Sequence, residues 1–118
     1  MISWNNKYIC FFYFLSIMAW TKVATKDEIA PGEFKLVTIN GEQIVLFNLN
    51  NEFFALSHNC PHEGGPIGEG ELVGSCVICP WHGWMFDVKT GKSPNRDARI
   101  ETFEVKVKGN NILVNLSF

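Results

Sequence analysis

With 118 residues the chain is long enough for one domain with a buried core, and too short for a second catalytic domain beside it. Ten Lys and Arg against twelve Asp and Glu leave a net charge of −2, which excludes the basic footprint of a nucleic-acid binder; no nucleic-acid partner is expected. The chain opens on an apolar run, YICFFYFLSIMAW (Tyr8 to Trp20), thirteen residues long with Lys7 ahead of it. A spanning helix needs roughly 20 apolar residues, so the run is short for a membrane anchor, and a single lysine makes a weak signal-peptide start. Three readings stay open: residues 1–17 as an apolar N-terminal extension ahead of a start at Met18, a signal or anchor, or a docked helix. From Trp20 onward the pattern is β. FKLVTI (Phe34 to Ile39) passes through Asn40-Gly41 into QIVLFNL (Gln43 to Leu49), and Asn-Gly between β-prone runs predicts a tight hairpin. After Asn50-Asn51, EFFALS (Glu52 to Ser57) predicts a third paired strand. Far downstream RIETFEVKV (Arg99 to Val107) alternates toward Gly109-Asn110-Asn111 and ILVNLSF, again a hairpin by its turn chemistry. No stretch sustains a 3.6-residue period, so the expected class is all-β, an antiparallel sandwich or small barrel.

Between the two β halves lies CPHEGGPIGEGELVGSCVICPWHGWMFD (Cys60 to Asp87), too rich in glycine and proline to pack as strand throughout. Three of the four cysteines, Cys60, Cys76 and Cys79, fall in this stretch with two of the three histidines. Clustering with histidine favours a metal over a disulfide scaffold, which spreads its cysteines and has no use for histidine. Two loops are expected, near 60–66 and 79–84, joined by a short hairpin through Glu71 to Ile78. One carries Cys60-Pro61-His62, the other Cys79-Pro80-Trp81-His82, with sixteen residues between His62 and Cys79. A mononuclear zinc module with two cysteines and two histidines is one reading, although Cys-x-His is tight for closing a tetrahedron on one ion. A two-iron cluster suits the spacing better, because the cysteine and histidine of each loop can then reach different irons.

On both of these boxes the chain resembles the Rieske iron–sulfur family, and in particular the small Rieske ferredoxins of multicomponent oxygenases. The resemblance covers Met18 to Phe118, including MAWTKVA. It implies an antiparallel β-sandwich with an inserted cluster-binding subdomain at about 58–88, and one [2Fe–2S] cluster with Cys60 and Cys79 on one iron and His62 and His82 on the other. An oxidised two-iron, two-sulfide core is a dication; four thiolates would make the site a dianion, whereas two thiolates and two neutral imidazoles leave it neutral. An electron is added more easily to a neutral site, which places such centres at about −150 to +300 mV against roughly −400 mV for plant-type ferredoxins. High-potential members of the family carry a serine and a tyrosine just after the second box; here those positions are Trp84 and Phe86, without hydroxyls to donate to sulfur, and a low potential is expected. Quinol-oxidising members join the two loops by a disulfide at positions that are Gly65 and Trp81 here, so that role is disfavoured.

Cys76 reads as a buried apolar thiol and Cys10 as a bland residue outside the domain. His58, two residues before Cys60, reads as structural, bonding a loop carbonyl. Trp81 is divided between a gate or docking surface and simple packing, and Glu63, Glu69 and Glu71 between steering of a basic partner and plain solvation. SPNRDAR (Ser93 to Arg99) matches the loop that covers the cluster in the family, with Pro94 as the expected contact. With one histidine to spare there is no room for a mononuclear iron triad, and no flavin or nicotinamide fingerprint is present. The resemblance therefore implies no enzyme but a cytoplasmic one-electron carrier between a reductase and a terminal oxygenase, the electron leaving through the exposed edges of His62 and His82. The alternatives are the small subunit of an assimilatory nitrite reductase, and a membrane-tethered subunit held through residues 8–20.

Overall fold

The computed structural model describes residues 20–116; the apolar run at its N-terminal end, with Cys10 and the proposed start at Met18, lies outside the described residues except for Trp20. Ten strands follow in order: β1 (Trp20–Thr25), β2 (Phe34–Ile39), β3 (Glu42–Leu49), β4 (Glu52–Ser57), β5 (Glu71–Val73), β6 (Cys76–Ile78), β7 (Met85–Asp87), β8 (Thr102–Phe103), β9 (Val105–Lys108) and β10 (Asn111–Asn115). Single 3-10 turns at Lys26–Glu28 and Ile67–Glu69 are the only helical pieces among the described residues, and none is long and apolar enough to cross a membrane. All named pairs are antiparallel, in three sheets ordered β1-β10-β9, β2-β3-β4-β8 and β5-β6-β7. The expected all-β class holds, and the third sheet is inserted in the chain between β4 and β8 of the second.

The hairpins sit where turn chemistry puts them. Asn40 and Gly41 join β2 to β3 with φ of 52° and 82°, and Asn50 and Asn51 join β3 to β4 with φ of 53° and 70°. Positive φ at both central residues gives a turn whose twist matches that of the flanking strands, and asparagine and glycine tolerate it best.

β3 explains the layering. Its centre, Ile44-Val45-Leu46-Phe47, is fully buried, although a strand with one wet face would alternate. Ile44 and Leu46 join Ala24, Phe53, Ala55, Ile112 and Val114 in one core, against the β1-β10-β9 sheet. Val45 and Phe47 point the other way, into a second core with Leu56, Ile67, Val77, Phe86, Val88 and Ile100, against the β5-β6-β7 sheet. The middle sheet is thus covered on both faces, and the continuous apolar run is its signature. Cys60 and Cys79 belong to the second core, which places their sulfurs inside the molecule.

One expectation is corrected. The alternating run Arg99 to Val107 is not a single strand: β8 pairs with β4, the chain breaks at Glu104, and β9 pairs with β10 in the other sheet. Alternation reports which residues face inward, and it is blind to which sheet supplies the interior.

Candidate metal centre

Two loops meet at the end of the third sheet. The first leaves β4 at Ser57 and is tied at its base by His58, whose N–H donates to the Gln43 carbonyl and whose own carbonyl accepts from Ile67 N–H. Its buried ring was expected to bond a loop carbonyl; instead Nδ1 accepts the Gly68 N–H at 3.0 Å. A Cβ at Gly68 would lie 2.9 Å from that nitrogen, so glycine is what lets the loop close over the ring. Beyond this staple, Cys60 N–H donates to the Gly65 carbonyl and Gly64 N–H to the Cys60 carbonyl, both at 2.9 Å, folding residues 60–65 into a tight turn.

The second loop caps the β6–β7 hairpin, which continues past its last pair, Ile78 with Met85, through Cys79 N–H donating to the Trp84 carbonyl at 2.8 Å. At its tip His82 has φ of 71° and Gly83 φ of 69°. A left-handed histidine costs on the order of 1–3 kcal/mol, and such strain persists where the surrounding structure and function hold it.

The four predicted site residues come together, sorted by chemistry. Cys60 is 2% exposed and Cys79 fully buried. Burial, with the Cys79 thiol as a neighbour, pushes the Cys60 thiol up to about 11, against a hydrogen bond from His62 N–H that favours its thiolate. The imidazoles lie outside them: the His62 and His82 rings are 4.8 Å apart, edge to face. They are not equivalent. The His82 side chain is 56% exposed, with Nε2 3.1 Å from a Glu63 carboxylate oxygen, whereas half-buried His62 is stacked on the Trp84 indole, centroids 4.3 Å apart and planes 12° apart.

Trp81 is 48% exposed, which decides against simple packing. A Cβ built on Gly65 would lie 3.2 Å from the Trp81 Cβ, so the two positions do face each other across the loops, yet neither carries a sulfur. Glu63 reaches His82, while Glu69 and Glu71 are solvent-exposed. Cys76 is half-buried on the face of β6 opposite Val77, not a core thiol. The loop at 93–99 reaches the site through Arg96, whose guanidinium carbon is 4.6 Å from the Trp84 ring centroid, while Pro94 is exposed. No sequence signal singled out Arg96, since its contact depends on the path of the whole loop.

Two buried thiols beside two outer imidazoles form a donor set that fits a two-iron, two-sulfide group, soft anionic sulfur for one metal and neutral nitrogen for the other. The cradle fits too: a Cβ at Gly65 would come 2.4 Å from the Cys79 sulfur, so only glycine leaves that sulfur room.

Comparison with known proteins points the same way. The biphenyl 2,3-dioxygenase ferredoxin component of Rhodococcus jostii (strain RHA1) is 37% identical over 101 residues, 84% of this chain and 94% of its own. The biphenyl dioxygenase ferredoxin subunit of Pseudomonas sp. (strain KKS102) is 34% identical over 103 residues, 85% of this chain and 94% of its own. Among solved structures, the complex of reduced oxygenase and oxidized ferredoxin in carbazole 1,9a-dioxygenase matches with a TM-score of 0.77 at 29% identity, over 83% of this chain and 94% of the matching one. A family model described as the Rieske [2Fe-2S] domain matches residues 19–112, most of the chain, and the chain belongs to that family.

Proposed function

We propose that this chain is a one-electron carrier that takes an electron from a reductase and passes it to a terminal oxygenase, with Cys60 and Cys79 holding one iron of a [2Fe–2S] cluster and His62 and His82 the other. The observation that carries the reading is the convergence of two buried thiols and two outer imidazoles from separate loops. The relatives named as ferredoxin components of dioxygenases, and the ferredoxin seen with an oxygenase, support the choice of partner.

When bound, the cluster supplies a single-electron couple at a potential set by its ligands and their surroundings. The chain does the rest. Its thiols sit in the core between two sheets, where water cannot reach the sulfur side, and they must release their protons as metal arrives; the raised Cys60 makes metal capture favour higher pH. His82 presents an exposed ring edge to a partner, and Trp81 beside it presents an exposed aromatic face. We read residues 58–88 as the cluster-binding subdomain within a domain spanning 18–118, and place the protein in the cytoplasm, where ligand thiols stay reduced.

Anaerobically purified protein is expected to carry two irons and two acid-labile sulfides per chain. Both should be lost in Cys60→Ala and in Cys79→Ala, while Cys76→Ala keeps them. A colourless protein that binds zinc alone would overturn the reading in favour of a structural module.

A further inference from the structure

Trp84 is contacted by two groups of different kinds: the His62 ring, stacked at 4.3 Å, and the Arg96 guanidinium, 4.6 Å from the indole centroid. The contact with Arg96 ties the 93–99 loop to the second ligand loop, and through Trp84 to the first. A comparable cation over an aromatic ring occurs at Lys106 and Trp20, but on strands of the β1-β10-β9 sheet and not on the two ligand loops. What sets Arg96 apart is that its aromatic partner is itself stacked on a ligand histidine.

Resting on the ligand assignment above, we propose that Arg96 is a positioning residue for the redox centre: it clamps Trp84 onto His62 and holds a fixed positive charge beside the imidazole pair. A guanidinium is always charged, and its flat face stacks on indole better than an ammonium does. The two stacking distances together put the guanidinium carbon within about 9 Å of the His62 ring centre. That is comparable to the ~8 Å Debye length at physiological salt, so the charge is felt at the site. The reduced centre carries one more negative charge than the oxidised one, and a nearby cation therefore favours reduction. Arg96 thus raises the potential, partly offsetting the missing hydroxyls at Trp84 and Phe86. On the other side Glu63, beside His82, carries the opposite charge. The pair matches the inequivalence of the histidines: His62 is roofed by the indole that carries the cation, and His82 is open and faces an anion.

The test compares the midpoint potential of cluster-loaded wild type, Arg96→Gln, Arg96→Lys and Arg99→Gln, with iron, sulfide and the reduced-state electron paramagnetic resonance signal measured on each. Arg99 is an exposed arginine on the same loop and controls for net charge alone. R96Q should lower the potential at least twice as much as R99Q, R96K should restore part of the drop, and the R96Q shift should shrink in high salt. If R96Q loads fully and shifts no more than R99Q, the proposal is overturned. Failure of R96Q to load while R99Q loads normally would uphold the clamp over His62. Absence of the reduced signal in wild type itself would instead overturn the ligand assignment, which keeps the two failures distinguishable.

Discussion

Gly65 shows how tightly single residues govern the site. It has an ordinary backbone conformation, so its value lies in the hydrogen where other residues carry a Cβ, 2.4 Å from where the Cys79 sulfur sits. Gly65→Ala is expected to lose most of its bound iron while keeping its β-type circular dichroism; full iron content would show that the sulfur can shift. Cys60, His62, Cys79 and His82 stood out as a candidate site because their types and spacing carry metal chemistry. Gly65 was legible only as one of a family pair, and Arg96 not at all. Its role depends on a loop laying a guanidinium across a ring twelve positions earlier, and residues 84 to 96 contain no periodicity that says so.

At the scale of elements, β3 and the first 3-10 turn make opposite demands on sequence. β3 is fixed by burial on both faces, so Phe47→Ala should cost about 3–5 kcal/mol in urea unfolding, whereas Leu36→Ala on exposed β2 should stay within about 0.5 kcal/mol. Equal losses would contradict the layered arrangement. The 3-10 turn is fixed by charge: the Glu28 carboxylate accepts from Thr25 N–H and Oγ1 and pairs with Lys35 on β2. Those partners, Lys35 foremost, pull Glu28 down from 4.5 to about 2. A carboxyl lowered in the folded state stabilises above its unfolded value and loses that stabilisation as pH falls from about 4.5 toward 2. Glu28→Gln should therefore flatten this part of the acid-unfolding curve, by a modest amount because the pair is solvent-exposed; an unchanged curve would show that solvent screens the pair out. The hairpins at Asn40-Gly41 and Asn50-Asn51 could be read from turn chemistry. The break at Glu104 could not, because β8 pairs with the distant β4 and β9 with its own hairpin partner β10, and the alternation runs through both without a mark.

Over the whole molecule, three sheets make two cores, and the cysteines sit in the one against the β5-β6-β7 sheet while the histidines are half-buried or exposed. The fold thereby separates the two halves of the proposed donor set, the thiols buried and the His82 imidazole open to solvent. This was visible in the sequence only as two short boxes between β runs; the layering that sorts them needs β3 to be covered on both sides, which its IVLF run hinted at without naming the covers. The most direct check on the account is the midpoint potential of the purified protein, measured in a dye-mediated titration followed by electron paramagnetic resonance. A Rieske-type signal that appears on reduction and titrates near the lower end of the window of about −150 to +300 mV is the expected result. A midpoint well above zero, or no reduced signal at all, would contradict it.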